Sequence, residues 1–171
     1  MEIRRLRTGD DRAEISRVYE ESWKTAYKGI IPQEYLDSIP EGGWASGLDQ
    51  PSRHTLLCTC EGRIVGTASF SKSRFEHLPS SGEIISIYFL PEYTGRGYGK
   101  ALLNAAINEL QQMGFYDIFL WVLEENLPAR GFYEKIGFAF SGEFTQTHIG
   151  GKLLREMRYN RTSDKKSKGG A

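Results

Sequence analysis

The chain has 171 residues, with 22 Lys and Arg balanced against 22 Asp and Glu, and 39% of its residues are hydrophobic. This length suits one domain, and the composition argues against a disordered or fibrous protein. The zero net charge offers no long-range attraction for nucleic acid or an anionic membrane, and no apolar run approaches the roughly 18 residues of a membrane-spanning helix. Because its start also lacks the pattern of a signal peptide, we expect a cytoplasmic protein.

The first elements are a short strand at 3–6 and an amphipathic helix that runs to about Lys28. Asp11 is the predicted cap of this helix, and Glu14 follows three residues later, as in a capping box. A second short helix is predicted at 32–39. Glycines and prolines then interrupt the chain until the next strand.

Two β-rich runs at 55–60 and 63–70 are separated by Glu61-Gly62, which predicts an antiparallel hairpin. A further strand at 83–90 stops at Pro91, since proline cannot donate to a sheet. The hairpin and this strand form the first part of a sheet.

The second half predicts a helix that ends at Gly114 and then a nearly continuous apolar strand at 118–123. A helix beginning near Pro128 follows, and the chain closes with a hairpin over 138–147 and 152–159. Antiparallel hairpins combined with a strand-loop-helix unit indicate an α+β fold.

Three alternate glycines, Gly95, Gly97 and Gly99, lie between the strand at 83–90 and the following helix. Glycines let the backbone approach a ligand closely, and the N–H groups at the start of a helix favour anions. Arg96 and Lys100 add positive charge. The segment therefore predicts a site for a phosphate-bearing ligand.

The spacing of this loop excludes two familiar nucleotide motifs. A Walker loop needs glycine where Thr94 stands and a hydroxyl where Ala101 stands. A dinucleotide fingerprint, G-x-G-x-x-G, would place its last glycine at Lys100 or Leu102.

The segment I-Y-F-L-P-E-Y-T-G-R-G-Y-G-K-A-L-L at 87–103 resembles the acyl-CoA loop of the GNAT superfamily of N-acetyltransferases, Q/R-x-x-G-x-G/A. Gly97 and Gly99 fit that motif, whereas Thr94 replaces the usual Gln or Arg. The segment N-L-P-A-R-G-F-Y-E-K-I-G-F at 126–138 resembles the family's second signature, N-x-x-A-x-x-F-Y-E-K-x-G-F.

The resemblance implies one domain at 1–160, with a mixed, mostly antiparallel sheet, flanking helices and a splayed strand pair that forms an acetyl-CoA cleft. Residues 161–171 are then a flexible basic tail. The implied cosubstrate is acetyl-CoA, without a metal. The residues expected to bind it are Ile87, Tyr88, Phe89, Thr94, Gly95, Arg96, Gly97, Tyr98, Gly99, Lys100, Asn126 and Ala129.

By the same resemblance, Tyr133 is the general acid that protonates the departing thiolate, whereas an aromatic residue on a helix stripe by itself usually indicates core packing. Glu83 is the candidate base that takes the amine's proton, and the alternative is a solvated glutamate at a strand start. Asn126 could instead be a surface helix cap.

The acceptor pocket is expected between the first two helices, the strand that carries Glu83 and the last hairpin, with Trp23, Tyr27 and Tyr35 as lining residues. The alternative is that these rings only pack the helices onto the sheet. The predicted function is direct acetyl transfer to a primary amine of a small molecule. A protein or peptide N-acetyltransferase and a non-catalytic CoA-binding sensor are the alternatives, and the resemblance admits a homodimer.

Overall fold

The computed structural model describes residues 1–163, which form seven β-strands and four α-helices. The strands are β1 (Glu2–Arg5), β2 (His54–Cys60), β3 (Arg63–Lys72), β4 (Gly82–Phe89), β5 (Asp117–Leu123), β6 (Ala139–Ile149) and β7 (Lys152–Thr162). The helices are α1 (Arg12–Ala26), α2 (Gln33–Asp37), α3 (Tyr98–Gln112) and α4 (Leu127–Lys135).

The strands form one sheet in the order β1-β2-β3-β4-β5-β7-β6. Neighbouring strands are antiparallel except β4 and β5, which run parallel and pair only at Gly82 with Ile118 and at Glu83 with Phe119. Beyond these two pairs the strands diverge. The predicted α+β fold, with a mostly antiparallel sheet and a splayed strand pair, is confirmed.

Helices cover the sheet because its central strands are apolar on both faces. β3 is buried from Ile64 to Ser71 and contacts both α1 and α3. α3 directs its apolar stripe inward, as the sequence predicts. The buried residues of that stripe are Leu102, Leu103, Ala106, Ile107 and Leu110.

The predicted cap of α1 is present, but the capping box is not. The Asp11 carboxylate accepts hydrogen bonds from the backbone N–H groups of Ala13 (2.8 Å) and Glu14 (3.3 Å). The Glu14 side chain instead accepts from the N–H of Ile64 (3.0 Å). Because α1 packs across the start of β3, the Glu14 carboxylate accepts a hydrogen bond from the backbone of that strand rather than from its own helix.

A second, smaller apolar cluster lies where α1 and α2 meet the ends of β5 and β7. Its buried members are Ile31, Leu36, Leu123 and Leu154, and the rings of Trp23 and Tyr27 pack against them. This cluster fixes α1 above the diverging strands.

At its end, β7 continues to Thr162, two residues into the predicted tail. The remainder of that tail, 164–171, lies outside the described residues. None of the helices within residues 1–163 is long and apolar enough to span a membrane.

Gly66 of β3 provides a test of the packing between β3 and β4. A Cβ atom there would lie 2.4 Å from the ring of Phe89, which is only 7% exposed. We expect Gly66→Ala to lower the free energy of unfolding by about 1–3 kcal/mol in urea denaturation, because that ring must move. Gly47→Ala, with no atom within 4 Å of its added Cβ, should stay within about 0.5 kcal/mol of wild type. Equal losses would contradict the close contact.

Candidate functional site

The divergence of β4 and β5 opens the molecule at the carboxyl ends of two parallel strands. Two cavities lie along this opening. The first, here called the loop cavity, has a volume of about 490 Å³ and lies between 87–89 of β4, the glycine loop and α4. The second, the aromatic cavity, has a volume of about 520 Å³ and lies between α1, β5 and β7, where it is lined by Trp23, Tyr27, Trp121 and Glu156.

The glycine loop forms one end of the loop cavity. Gly95 and Gly97 have φ values of +73° and +81°, and no atom lies within 4 Å of a Cβ built on either residue. Gly97 is the N-cap of the 15-residue helix α3. Open space therefore lies beside a helix start whose N–H groups attract anions, as a bound phosphate requires.

The side chains of this loop have different roles. The Thr94 hydroxyl donates a hydrogen bond to the Pro91 carbonyl (2.8 Å), so the residue that replaces Gln or Arg stabilises a turn. Lys100 and Thr94 line the loop cavity. The Arg96 guanidinium lies 5.2 Å from the Tyr93 ring centre, outside the cavity lining. Tyr98 is also absent from the lining.

The edge of β4 presents backbone groups to the opening. The Leu90 N–H donates to the Val65 carbonyl of β3 (2.9 Å). Because successive residues of a strand point their N–H groups to opposite sides, the Phe89 N–H faces the diverging β5 side. A ligand in the opening could therefore accept a hydrogen bond from the Phe89 N–H.

The two cavities meet. The residues that line both are Ser22, Ile87, Tyr88, Ala129 and Tyr133. Ala129 is small, so its side chain takes up little space where the two cavities meet. The Tyr133 ring stands at the junction, beside Phe132 (5.3 Å between ring centres) and Phe138 (6.1 Å).

Three tyrosines around the junction have raised side-chain pKa values. Burial raises the pKa of Tyr133, and the neighbouring Tyr88 adds to the rise. Burial also raises the pKa of Tyr88 well above its ordinary value and the pKa of Tyr27 to about 12. Each is a phenol at neutral pH and can donate a proton but is a poor base.

The aromatic cavity contains a carboxylate that the motif analysis missed. Glu156 on β7 lines this cavity, and burial raises the pKa of its side chain. The rings of Trp23 and Tyr27, predicted as acceptor contacts, also line it, with 4.9 Å between their centres. Leu154 and Glu156 lie two residues apart and therefore on the same face of β7. This spacing was visible in the sequence, but it does not show that this face lines a cavity.

Glu83, the predicted base, lies where β4 and β5 still pair, and it lines neither cavity. It is 2% exposed, and its carboxylate accepts from the Arg74 guanidinium at 2.7 and 3.1 Å and from the Arg74 backbone N–H at 3.2 Å. The ion pair with Arg74 gives the Glu83 side chain a structural partner. The catalytic role of Glu83 stays a prediction.

Asn126 and Tyr35 also have defined places. The Asn126 side-chain oxygen accepts from the Ala129 N–H (3.2 Å) as the N-cap of α4, while the residue lines the aromatic cavity. Tyr35 is 38% exposed and borders a separate cavity of about 350 Å³ beside Trp44. The ligand contacts predicted for both residues stay predictions.

Within residues 1–163, no Cys or His side chain lines either cavity. Burial raises the pKa of Cys58 to about 11, which keeps its thiol protonated. Within residues 1–163, no three His, Cys, Asp or Glu side chains are grouped to hold a metal ion.

Sequence comparison identifies relatives over most of the chain. The model of the acetyltransferase (GNAT) family matches residues 14–138. An uncharacterized N-acetyltransferase of Bacillus subtilis, YuaI, is 36% identical over 130 residues, which are 73% of each chain. A spermidine N(1)-acetyltransferase of Thermoplasma acidophilum is 28% identical over 142 residues, covering 81% of this chain and 88% of the relative.

Structure comparison agrees with the sequence. The PaiA N-acetyltransferase of Thermoplasma acidophilum, solved in complex with coenzyme A, superposes with a TM-score of 0.72 at 21% identity, over 95% of this chain and all of that chain. The fold is therefore shared, and the family match covers both the glycine loop and the helix that carries Tyr133. This protein belongs to the acetyltransferase (GNAT) family and is an acyl-CoA-dependent N-acetyltransferase.

Proposed function

We propose that this enzyme transfers the acetyl group of acetyl-CoA directly to a primary amine of a small molecule. The observation that carries the proposal is the meeting of two cavities at Tyr133. One cavity ends in a glycine loop suited to phosphates, and the other ends in a carboxylate among aromatic rings. A donor and an acceptor entering from the two sides would meet beside a phenol.

The loop cavity has the features that acetyl-CoA requires. Gly95 and Gly97 leave open space at the start of α3 for a pyrophosphate, and Lys100 adds a positive charge. The walls nearer the junction, including Ile87 and Phe132, are apolar and suit the pantetheine arm. The relative solved with coenzyme A supports this assignment.

The chemistry follows from the groups at the junction. The neutral amine attacks the carbonyl carbon of the thioester, and the new nitrogen–carbon bond forms as the carbon–sulfur bond breaks. The Phe89 N–H donates to the carbonyl oxygen as negative charge develops there, an interaction often worth about 3 kcal/mol. Tyr133 donates its proton to the departing sulfur, so that CoA leaves as a thiol.

The shape of the aromatic cavity favours a small acceptor. Its volume of about 520 Å³ lies within the usual range for small-molecule sites, about 300–1,000 Å³. A relative that acts on spermidine is also consistent with a small amine. The cytoplasmic location and the homodimer stay predictions.

An amine panel tests the proposal. Purified enzyme is incubated with acetyl-CoA and with monoamines, polyamines, amino acids, aminoglycosides or peptides, and free CoA thiol is measured. We expect thiol release and an N-acetylated product with a small amine. Release with peptides alone would overturn the small-molecule proposal, and absence of release with every acceptor would favour a sensor.

Replacement of Tyr133 by Phe isolates the hydroxyl from the ring. We expect kcat to fall about 10- to 1000-fold with little change in the KM for acetyl-CoA, because the hydroxyl acts only as the thiolate departs. Steady-state kinetics measure both values. Tyr116→Phe makes the same chemical change outside both cavities and should leave kcat near wild type. Full turnover in Tyr133→Phe across pH would show that the thiolate leaves without this acid.

The two ends of α3 offer a matched test of the glycine loop. Gly97 and Gly114 both have positive φ, +81° and +94°, and neither has an atom within 4 Å of an added Cβ. Alanine at either position should therefore strain the backbone by a similar amount, about 1 kcal/mol or more. Only Gly97→Ala should raise the KM for acetyl-CoA, by about tenfold, since only Gly97 lines the loop cavity. Equal KM values in the two variants would contradict the assigned phosphate site.

A further inference from the structure

We propose that Glu156 binds the ammonium group of the acceptor and takes its proton, and that the acceptor is a monoamine on an apolar, ring-sized body. This inference rests on the proposed function and names the base and the substrate class for it. Neither motif that led to the family contains Glu156.

Glu156 stands at the mouth of the opening between β4 and β5. It pairs with Leu123, the last residue of β5, and with Thr145 of β6. Cross-strand partners point to the same face of a sheet, so its carboxylate lies on the face covered by α1. Tyr27, the C-cap of α1, is close enough to both Glu156 and Tyr133 for their charges to affect its pKa. The carboxylate and the proposed acid are thus two groups around one small cavity.

The carboxylates next to Glu156 form ion pairs, whereas Glu156 forms none within residues 1–163. Glu124 pairs with Arg155 (3.5 Å) and Glu125 with Lys152 (3.1 Å). Within residues 1–163, no Lys, Arg or His forms an ion pair with Glu156. A partly buried carboxylate without a cation is costly, and a bound ammonium would remove that cost.

The lining of the aromatic cavity defines the acceptor that fits. Glu156 is the one charged residue among its lining residues, and the rings of Trp23, Tyr27 and Trp121 surround the space together with Leu123 and Ile149. Aromatic faces attract a cation and accommodate an apolar body. A second ammonium, as in a polyamine, would find hydroxyl and amide groups in this lining but no second carboxylate among the described residues. One ammonium on a ring-sized apolar body therefore matches the single carboxylate and the aromatic rings of this cavity.

Proton transfer completes the reaction described above. About one alkyl amine in a thousand is neutral at pH 7, so the bound ammonium must lose a proton before it attacks. Glu156 takes this proton and releases it to solvent. After attack, the nitrogen loses a second proton, which restores the Tyr133 phenol once that phenol has protonated the sulfur. One proton is released for each acetyl group transferred.

The pH dependence has a definite sign. Burial raises the pKa of Glu156 and makes its carboxylate a stronger base than an exposed one. Activity should fall as pH drops through this raised pKa, because the protonated acid no longer accepts a proton. The titratable groups that line the same cavity or share the same face of β6 and β7 are Tyr27, Tyr88, Tyr133, Glu143, Lys152 and Arg158, and Lys152 pairs with Glu125 at 3.1 Å. The tyrosines remain neutral at pH 6–8, and Glu143 and Arg158 pair with each other at 2.5 Å.

The kinetic test compares three glutamate-to-glutamine variants with phenethylamine as acceptor. We expect Glu156→Gln to lose about 100-fold in kcat at pH 7 and to recover as pH rises, since more of the amine is then neutral without help. Glu124→Gln, beside it at the end of β5 but ion-paired and outside the cavity, should follow the wild-type profile. A wild-type profile in Glu156→Gln, or the same loss appearing in Glu83→Gln alone, would overturn the assignment.

A binding measurement does not depend on turnover. In the presence of CoA, calorimetry should show that phenethylamine binds wild type at least tenfold more tightly than 2-phenylethanol, which lacks the ammonium. Glu156→Gln should abolish that preference without lowering the melting temperature. Absence of the preference in wild type, or tighter binding and faster acetylation of spermidine than of phenethylamine, would overturn the proposed acceptor.

Together with the amine panel, the kinetic and binding tests distinguish failure of the proposed small-molecule function from failure of the Glu156 assignment. If wild type acetylates only peptides, the small-molecule function fails. If wild type acetylates small amines but Glu156→Gln is unchanged in rate and binding, only the assignment of Glu156 fails.

Discussion

The site depends on one constraint, the short pairing of the parallel strands β4 and β5. At the paired end, a Cβ on Gly82 would lie 2.9 Å from a methyl carbon of Leu110 and 3.1 Å from the Cβ of Phe115, so glycine allows the strands and α3 to pack closely there. Glu83 in the next position is buried and anchored to Arg74. Beyond it, no strand within residues 1–163 pairs with the backbone of β4 on the β5 side. The resulting opening forms both cavities.

The aromatic residues of α1 show that packing and binding are not exclusive alternatives. Trp23 contacts Tyr27 edge-on and Trp44 at a tilt, and it packs against the smaller apolar core. The inner surfaces of Trp23 and Tyr27 nevertheless line the aromatic cavity. The rings fix α1 above the opening and provide its wall with the same atoms. A substitution in this cluster would therefore affect stability and acceptor binding together.

Glu83 and Glu156 are similar residues whose tertiary surroundings suit them to different roles. Both are carboxylates on strands that adjoin the opening. Three hydrogen bonds from Arg74 satisfy Glu83, and they stabilise its charge in a buried position. Glu156 lacks such a cation within the described residues and faces a cavity of the right size for an amine. The ammonium group of a bound ligand would supply the counter-charge that Glu156 lacks.

The sequence by itself determined the elements, the fold class, the family and the loop that suits acetyl-CoA, because periodicity, glycine spacing and two ordered motifs are local properties. Its second motif also singled out Tyr133, which lies at the junction of the two cavities, and the catalytic role of Tyr133 stays a prediction. Only the tertiary structure decided that Arg74 pairs with Glu83, that Glu14 bonds to β3, and that Glu156 reaches the acceptor side. These contacts join residues distant in the chain, and strand alternation leaves open which face of a sheet a helix will cover.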